Sequence, residues 1–478
     1  MNQNALPPGP DDHPFRQLYH FIKHAPEWHE DLRRRFGPYY TVRLPAQPPT
    51  VHVALPEIIK RVFESRGDDM DSGEVARPLE FLIGSQSLPL LDGARHRRAR
   101  KLIMPALLGQ RLIPLGATMR RIARDAIARW SPGDRIETQS FLQEIVLSVL
   151  AETLFGVPPG ARQDRLKELV SKALRLAITP SISAYSFLAS GDGLRRRMAH
   201  AARVLAPYRL GRALLDSNGW GRAAACVQEL DELLHAELAE RRHLSSERHD
   251  IMSVLLGIRD DDGQPLPDAE LRDLVMGLLL AGYESTSSTL TWALSVIVDR
   301  PDILASIEEE HQRLMAGGFD PQKVRELRYL EAVLKETMRL YPIAIAPGRI
   351  LRAPLRIGDH DVPAGAAIAV SVYHVQRDPS LWPDPLRFDP NRFLGPAIPP
   401  TSWFPFGGGH RTCVGMAFST FESKILLGEI VRGLRLKRDP GPLPPLTMRG
   451  VILGPAREIG MTVVERRRTE ARADSLDG

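Results

Sequence analysis

Ten residues near the C-terminus, FGGGHRTCVG, place three consecutive glycines before a cysteine, Cys413, and a predicted helix. Glycine allows positive φ angles and lets the chain approach a flat ligand closely. At a helix N-terminus the thiolate of a cysteine is stabilised by the dipole and by unpaired amide hydrogens, and such a thiolate can be an axial ligand of iron. Taken alone, however, the pattern would favour a simpler interpretation, a glycine-rich turn with a buried, inert cysteine.

A second segment, AGYEST over residues 281–286, lies inside a long apolar stretch. A helix interior normally avoids glycine, at a cost of about 1 kcal/mol against alanine, so a small residue here would let a flat ligand approach. An acid beside an alcohol can relay protons, and hydroxyl groups can loosen the backbone hydrogen bonds of a helix. The alternative is a packed helix with incidental polar residues.

The complete pattern around the cysteine is Phe, two residues, Gly, three residues, Cys, one residue, Gly, with a basic residue two positions before Cys. It resembles the haem-ligand signature of the cytochrome P450 monooxygenases at every defining position. The resemblance implies haem b as cofactor, with Cys413 as the fifth ligand of its iron and Arg411 paired with a propionate. Phe406 would pack beside the ligand sulfur, and Gly409 and Gly415 would keep the loop close to the ring.

AGYEST is similar to the oxygen-activation segment of the same family. By that resemblance Ala281 and Gly282 lie against the haem, and Glu284 and Ser285 deliver protons. The family usually has threonine directly after the acid, whereas this chain has Ser285 followed by Thr286. Serine keeps the hydroxyl but is less restricted in conformation. The sequence therefore leaves open how efficiently oxygen consumption is coupled to product formation. Thr286 is a candidate to share the role of Ser285 in proton delivery.

Two further segments resemble the family's structural brace. In KETMRL, Glu336 and Arg339 are three residues apart and share a helix face, and FDPNRF supplies Arg392. Any single ExxR string is common, and it could be an exposed ion pair that contributes less than about 1 kcal/mol. Its position before Cys413 matches the family, which implies a brace for the ligand loop without a chemical role.

The segment GARHRRARK offers His96 and Arg100, four residues apart, and resembles the family's propionate-binding helix. Many members have tryptophan in place of His96, and both side chains can donate a hydrogen bond. Arg349, sixteen residues before Gly365, resembles a second propionate-binding arginine. The remaining basic residues of this helix form either a solvated face or a docking site for an acidic ferredoxin or flavodoxin: Arg95, Arg97, Arg98 and Lys101.

The fold that the resemblance implies is mainly α with a smaller β-rich portion, and the haem lies between a long central helix and the cysteine loop. The patterns predict a short β region from Tyr39 to Val53. They also predict three long helices: one capped by Asp268 and ending near Pro301, one ended by Pro342, and one from Gly415 to about Arg432. We expect a flexible lead-in over residues 1–15, one catalytic domain over 16–465 and a disordered tail over 466–478.

Composition narrows the class of protein. The chain has 478 residues, 43% hydrophobic and 25% charged, with a formal net charge of +5, an ordinary balance for a globular protein. No zinc-finger or RNP-type motif favours nucleic acid. Two distant cysteines, Cys226 and Cys413, argue against a disulfide framework and predict a cytoplasmic protein. We see no signal peptide and no uncharged stretch of about 18 apolar residues, and we therefore expect no membrane anchor.

The expected activity is insertion of one oxygen atom from O₂ into a lipophilic small molecule of the fatty acid, terpenoid or polyketide type. A separate ferredoxin or flavodoxin with its reductase would supply the electrons to a monomeric enzyme. Two alternatives stay open, a peroxide-driven haem-thiolate peroxygenase and a haem-binding sensor or carrier. By family position, the candidate substrate contacts are Pro78 to Ile83, Ser183 to Ser190, Ile343 to Ala346 and Val451 to Leu453.

Overall fold

The computed structural model describes residues 6–65, 69–177, 208, 219–243, 250–259, 263–450 and 452–467. The helices within these ranges are α1 (Pro14–Lys23), α2 (Ala25–Phe36), α3 (Pro56–Glu64), α4 (Gly73–Ala76), α5 (Glu80–Ile83), α6 (Gly93–Ile103), α7 (Ile113–Ala128), α8 (Thr138–Thr153), α9 (Ala161–Ala177), α10 (Gly219–His243), α11 (Ile251–Gly257), α12 (Asp268–Ile297), α13 (Pro301–Leu314), α14 (Arg328–Leu340), α15 (Val372–Val375) and α16 (Met416–Gly433). The strands are β1 (Tyr39–Val42), β2 (Thr50–Val53), β3 (Met70–Asp71), β4 (Arg135–Glu137), β5 (Gly348–Leu351), β6 (Leu355–Ile357), β7 (His360–Val362), β8 (Ala367–Val370), β9 (Leu434–Arg438), β10 (Leu446–Arg449), β11 (Ile452–Pro455) and β12 (Gly460–Arg466).

The central helix α12 has 30 residues, which corresponds to a length of about 45 Å. Asp268 is its first residue and not its cap, because Pro267 occupies the cap position. Asp268 and Glu270 stand in the first turn, where negative charge is favoured by the helix dipole. From Leu271 onward most of the helix is buried, since α8, α14 and α16 all pack against it. The predicted long helix is therefore confirmed, with a corrected start.

The predicted ends of the other two helices are confirmed. α14 ends at Leu340, two residues before Pro342, which cannot continue a helix because it lacks the amide hydrogen. α16 begins immediately after Gly415 and ends at Gly433. With α7 and α8, these helices form the main apolar core around α12.

The β-rich portion includes a five-stranded sheet of order β1-β2-β8-β5-β3. The predicted β region at residues 39–53 is its edge hairpin, in which Tyr39 pairs with Val53. β2 and β8 run parallel, with Thr50 opposite Ala367, and β5 runs antiparallel to β8. Because Arg349 lies on β5, this sheet positions one of the predicted propionate ligands.

Both predicted chain ends are better anchored than expected in the part that the structure describes. The carbonyl oxygen of Pro8 accepts a hydrogen bond of 2.9 Å from the amide of Thr41, and helix α1 begins at Pro14, inside the predicted lead-in. At the other end, Arg466 pairs with Leu434 in the sheet, and Arg467 forms a 2.6 Å ion pair with Glu308. Arg466 and Arg467 therefore do not belong to a disordered tail, and residues 468–478 lie outside the described ranges.

In the described ranges, no single helix is long and apolar enough to cross a membrane. One pair of helical segments, Gly93–Leu107 and Gly109–Ala128, meets the length and composition criteria together, with a bend of 55° between them.

A cluster of buried histidines lies between α2 and the five-stranded sheet. His29 Nδ1 is 2.7 Å from the hydroxyl of Tyr40, and the rings of His29 and His52 are 4.4 Å apart between centroids. Burial lowers the pKa of His52 to about 4 and that of His374 to about 3. The pKa of His29 is also well below its ordinary value, because burial and the other two histidines disfavour its charged form. The cluster is therefore neutral in the folded protein at physiological pH.

We expect the stability of this fold to decrease as the pH falls below about 6.5, where histidines of the unfolded chain become protonated. Between that pH and about 4, the unfolded chain binds a proton that folded His52 does not. This difference lowers the free energy of unfolding by up to about 1.4 kcal/mol per pH unit for each such group. Urea unfolding of the wild type and of His52→Phe between about pH 7.5 and pH 5 should give a shallower slope for the variant.

Glu30 and Arg33 also act on this cluster through His374. The effect of His52 is therefore read from the difference between the wild type and the variant in how steeply the free energy of unfolding changes with pH. His235→Gln, which changes an exposed histidine of α10, is the matched control and should keep the wild-type slope. Equal slopes for His52→Phe and the wild type would contradict the prediction.

Candidate functional site

A cavity of about 460 Å³ lies between the middle of α12 and the loop that precedes α16. It brings together the two predicted motifs, which are far apart in sequence, with basic residues from α6 and β5 at one end. Most of the other side chains in its wall are apolar: Leu88, Pro89, Leu107, Leu150, Leu154, Ile251, Leu278, Leu334, Met338, Ile343 and Val372.

The cysteine loop is closed by a hydrogen bond of 2.9 Å from the amide of Cys413 to the carbonyl oxygen of Phe406. Gly407 and Gly409 have φ angles of +68° and +64°, in the left-handed region that favours glycine. A side chain at Gly409 would lie 1.8 Å from the carbonyl oxygen of Phe63 in α3. Gly409 thus makes its close contact with α3 and does not line the cavity, and its predicted role in keeping the loop close to a ring stays a prediction.

We expect Gly409→Ala to destabilise the cysteine loop by about 3 kcal/mol. Of this, about 1 kcal/mol comes from the left-handed backbone conformation and about 2 kcal/mol from the overlap with the Phe63 carbonyl group. Thermal unfolding followed by circular dichroism measures the loss of stability. The visible absorbance of the purified protein measures how much coloured cofactor the loop still holds. Gly109→Ala is the matched control, because Gly109 has a φ of +67° and nothing within 4 Å of the added carbon atom. Equal losses in the two variants would show that the contact with α3 contributes nothing.

Cys413 faces the cavity and not the outer surface of the protein. Its side chain has accessible surface, but this surface belongs to the cavity that it lines, and surrounding protein atoms make burial the main influence on its pKa. Burial raises the pKa of the thiol, while the amides of Gly415 and Met416 and the charge of Arg100 oppose this shift. The thiol is thus protonated unless a metal binds it, because coordination to a metal removes the proton.

The predicted propionate ligands meet at one end of the cavity. His96, Arg100, Arg349 and Arg411 all line it, although they come from α6, β5 and the cysteine loop. Arg100 donates a hydrogen bond of 2.6 Å to the carbonyl oxygen of Thr412, which ties α6 to the loop. Burial and the nearby charge of Arg411 lower the pKa of His96 to about 3 and that of Arg349 to about 10. His96 is therefore neutral, and the three arginines stay charged.

Three nitrogen atoms at this end of the cavity are buried without a hydrogen-bond partner in the described structure: Nδ1 of His96, Nε of Arg349 and Nε of Arg411. Unpaired buried polar groups are costly, and guanidinium groups bind carboxylates strongly. This end of the cavity is therefore suited to a ligand with carboxylate groups.

The AGYEST segment lies in the middle of α12, and Ala281, Gly282, Ser285 and Thr286 line the cavity as expected. The Ser285 hydroxyl donates to the carbonyl oxygen of Ala281 at 2.6 Å, one turn earlier in the helix. The Thr286 hydroxyl is buried and has no hydrogen-bond partner among the residues that the structure describes. The structure thus offers two hydroxyl groups, one already bonded to the backbone and one available to a ligand or a water molecule.

Glu284 does not take the position that a direct relay partner of Ser285 would need. Its side chain faces α8, where Gln143 Nε2 donates to Oε2 at 3.2 Å, and Glu284 is absent from the cavity wall. Burial raises the pKa of Glu284, and the charge of Arg449 and the bond from Gln143 oppose the shift. Glu284 and Ser285 therefore face different surroundings, because consecutive residues of a helix point about 100° apart, and the role of Glu284 in proton delivery stays a prediction.

The predicted brace is assembled behind the cavity. Arg339 donates to Glu336 through two bonds of 2.6 and 2.8 Å, and both side chains are completely buried. The same guanidinium donates to the carbonyl oxygens of Gln376, Pro385 and Arg387. A single buried cation therefore fixes three points of the chain segment that leads to the cysteine loop.

Arg392 joins this pair as expected, with its Nε 3.4 Å from Oε1 of Glu336. Gln376 connects the brace to the loop, because its side chain bonds to the carbonyl oxygens of Met338 and Arg339 and accepts a hydrogen bond of 3.2 Å from the amide of Phe404. The cysteine loop begins two residues later.

A model of the cytochrome P450 family matches residues 7–462. The chain belongs to the cytochrome P450 family. Two relatives from Mycobacterium tuberculosis, cytochrome P450 135B1 and cytochrome P450 135A1, are each 30% identical to this P450. The first match covers 95% of this chain and 90% of the relative, and the second covers 98% of both.

Solved structures show the same fold. Cyanobacterial CYP120A1 with bound retinoic acid has a TM-score of 0.79 at 22% identity and covers 96% of this P450 and 99% of its own chain. The haem domain of cytochrome P450DA has a TM-score of 0.80 at 19% identity, with coverages of 97% and 98%. The predicted fold class is confirmed, and family membership makes the chain a haem monooxygenase whose cofactor is iron protoporphyrin IX.

The residues of this P450 fit that cofactor. The unpaired nitrogen atoms of His96, Arg349 and Arg411 suit the two haem propionates, and Cys413 lines the same cavity. Ala281 and Gly282 line it from α12, where small side chains leave room for a flat macrocycle.

Several residues of the site were missed from the sequence. Gly407 lines the cavity and has a positive φ, and the run of three glycines was a usable signal for it. Asp92 forms an ion pair with Arg411, and its place before a basic helix was a weaker signal. Gln143 and Arg449 act on Glu284 from elements whose packing the sequence alone does not reveal.

Proposed function

We propose that this P450 inserts one oxygen atom from O₂ into a lipophilic small molecule, of the fatty acid, terpenoid or polyketide type, with electrons from a separate redox protein. The observation that carries the proposal is the cavity itself. Cys413 stands in one wall and the AGYEST helix forms part of another, while the rest is mainly aliphatic. Such a surface favours an apolar ligand, because burial of apolar area is the main driving force for its binding.

Among the proposed substrate contacts, Ile343 and Ala344 line the cavity. The other described residues of these segments do not line it: residues 79–83, Ile345, Ala346, Ile452 and Leu453. The side chain of Pro78 lies outside the described part of the structure. Ser183 to Ser190 and Val451 lie outside the described residues. Leu150, Leu154 and Ile251 are additional candidates in the described part of the wall.

The haem supplies the oxygen chemistry when it is bound, and the protein residues have four tasks. Cys413 provides the thiolate ligand, and His96, Arg100, Arg349 and Arg411 bind the propionates. The apolar wall excludes water and orients the substrate. Ser285 and Thr286 hold protons at their hydroxyl oxygens inside the cavity, and Glu284, which faces α8, supplies protons to this part of the helix indirectly and not by contact with the two hydroxyls.

The electron donor that we propose is an acidic ferredoxin or flavodoxin that docks at α6. Arg95, Arg97 and Lys101 are exposed there. Arg98, next to them, forms an ion pair of 2.6 Å with Glu270. We also propose that the enzyme acts as a monomer and in the cytoplasm, in agreement with its two unpaired cysteines.

The function is tested by turnover of the purified, haem-loaded protein with a surrogate ferredoxin and reductase. Lipophilic compounds are first screened for a low- to high-spin shift of the Soret band, and the compounds that bind are then assayed for oxygenated product. Product that depends on both reductant and O₂ supports the proposal. Product with peroxide alone would identify a peroxygenase, and binding without turnover under either condition would identify a sensor or carrier.

We expect the two cavity hydroxyls to share proton delivery. Ser285→Ala and Thr286→Val should each increase the fraction of electrons lost as hydrogen peroxide, and the double variant should lower product per electron at least about tenfold, because positioned proton donors contribute at least that much. The measurement compares product and peroxide with the reductant consumed.

Ser287→Ala provides the matched control, because that hydroxyl is buried in the same helix, donates to the carbonyl oxygen of Tyr283 at 2.8 Å and does not line the cavity. Its coupling should equal that of the wild type. Wild-type coupling in the double variant would exclude both hydroxyls from proton delivery.

A further inference from the structure

Asp92 connects three parts of the chain at the basic end of the cavity. This residue directly precedes α6, and its two carboxylate oxygens accept hydrogen bonds from the amides of Ser72 at 2.8 Å and Gly73 at 2.9 Å. The same carboxylate forms an ion pair with Arg411 of the cysteine loop. The side chains of Asp92 and Arg411 are only 20% and 8% exposed, so the pair is largely shielded from water.

The ion pair determines which nitrogen atoms of the Arg411 guanidinium are available. Nη2 is occupied, because it contacts Asp92 and also donates to the carbonyl oxygen of Leu91 at 2.5 Å. Nε is buried without a partner among the described residues, and Arg411 lines the cavity. The guanidinium is planar and its donors are in a fixed arrangement. When Asp92 and the Leu91 carbonyl group hold Nη2, the orientation of the guanidinium is therefore fixed, and its Nε–H is left for a ligand.

The charges at this end of the cavity support the same conclusion. Arg100, Arg349 and Arg411 supply three positive charges, and Asp92 supplies one negative charge, which leaves three minus one, or +2, among these described residues. The two propionates of haem carry the opposite charge. Asp71 also acts on Arg411, but its carboxylate is engaged by Arg352 in two bonds of 2.7 Å.

Asp92 also fixes the start of a neighbouring segment. A side chain on Gly73 would lie 2.3 Å from the carbonyl oxygen of Leu90 and 2.6 Å from Oδ2 of Asp92, so the backbone of residues 72 and 73 is pressed against this carboxylate. The chain then continues through α4 into residues 79–83. The position of this segment and that of Arg411 therefore depend on the same side chain.

We propose that Asp92 is a positioning residue for haem: it holds Arg411 towards one propionate and ties this arginine to Ser72 and Gly73, so that haem binding orders residues 72–83. The proposal rests on the proposed function, because it requires haem in the cavity. Asp92 itself makes no contact with the cofactor in this scheme and acts only through Arg411 and the two backbone amides.

The test uses the full-length haem protein and the variant Asp92→Asn, which removes the charge and keeps one acceptor oxygen. Haem transfer to an excess of apomyoglobin should be about tenfold faster than in the wild type, a usual effect for a group that orients a ligand-binding residue. Hydrogen exchange of peptides that cover residues 69–83 should show less protection on haem loading than in the wild type. If Asp92 acted by charge alone, its removal would make the pocket more cationic and slow the loss of haem, and this result would overturn the proposal.

Asp71→Asn is the matched control, because it removes a carboxylate from the same region that is engaged by Arg352, and it should transfer haem at the wild-type rate. A double-mutant cycle with Arg411→Gln tests the pathway. In that background Asp92→Asn should have little further effect, and the double variant also avoids an unpaired buried charge if the single variant folds poorly. Full additivity in the cycle, or a wild-type transfer rate in Asp92→Asn, would overturn the proposal. Failure of the proposed function would look different, because the wild type would then bind haem and show the expected transfer rates but form no product that depends on both reductant and O₂.

Discussion

Cys413→Ser should abolish the long-wavelength Soret band that reduced, thiolate-ligated haem gives with carbon monoxide, and product formation should fall to the background level. Serine has nearly the same shape as cysteine but provides a far less acidic hydroxyl group, so it does not replace the thiolate that donates electron density to the iron. The effect should be larger for catalysis than for haem content, because the substitution leaves the proposed propionate-binding residues His96, Arg349 and Arg411 in place. The reduced carbon monoxide difference spectrum and the pyridine haemochrome assay measure the two effects separately.

Cys226→Ser is the matched control for this variant. Cys226 is the other cysteine of the chain and is completely buried in α10, where its thiol donates to the carbonyl oxygen of Leu169. The hydroxyl group of serine can make the same bond, so both the spectrum and the activity should be retained. If Cys413→Ser kept the long-wavelength band, or if Cys226→Ser lost it, the assignment of the iron ligand would be wrong.

The positions of the main elements followed from local sequence patterns. α14 ends before Pro342 and α16 starts after Gly415, because proline and glycine act on the backbone of their own neighbourhood. The residues Glu336 and Arg339 share one helix face for the same local reason. Such signals need no knowledge of tertiary contacts.

The directions of side chains across element boundaries did not follow from those patterns. The sequence places Glu284 next to Ser285, but the structure directs Glu284 to Gln143 on α8, a contact that depends on how two helices pack. Gly409 is similar, since its function as a contact with Phe63 depends on the placement of α3. Motif spacing identifies which residues belong to a site, whereas tertiary packing decides which of their neighbours they contact.

Asp92 shows the same limit for electrostatics. The family resemblance accounts for Arg411 as a ligand of a propionate, but the carboxylate that pairs with it comes from a segment over three hundred residues away in sequence. Net charge and composition do not report such pairing, because they average over the whole chain. The charge balance of the pocket therefore became visible only in three dimensions.

Arg339→Lys should destabilise the protein by about 3 to 5 kcal/mol, the usual effect of disrupting a buried ion pair. Lysine keeps the positive charge but has no planar fork, so it cannot make both bonds to Glu336 and also reach the carbonyl oxygens of Gln376, Pro385 and Arg387. The loss of these anchors should release the segment that leads to the cysteine loop. Urea unfolding and the haem content after purification measure the effect, and the haem content should fall together with stability.

Arg352→Lys is the matched control for the loss of the planar fork itself. Arg352 also makes two bonds to a carboxylate, those to Asp71 at 2.7 Å, but its side chain is 50% exposed, and the substitution should cost less than about 1 kcal/mol. Because the two substitutions are chemically identical, the difference between them isolates burial and the three carbonyl contacts of Arg339. If Arg339→Lys were as mild as Arg352→Lys, the Glu336–Arg339 pair would be an ordinary ion pair, and the cysteine loop would be held by its own backbone and by α3.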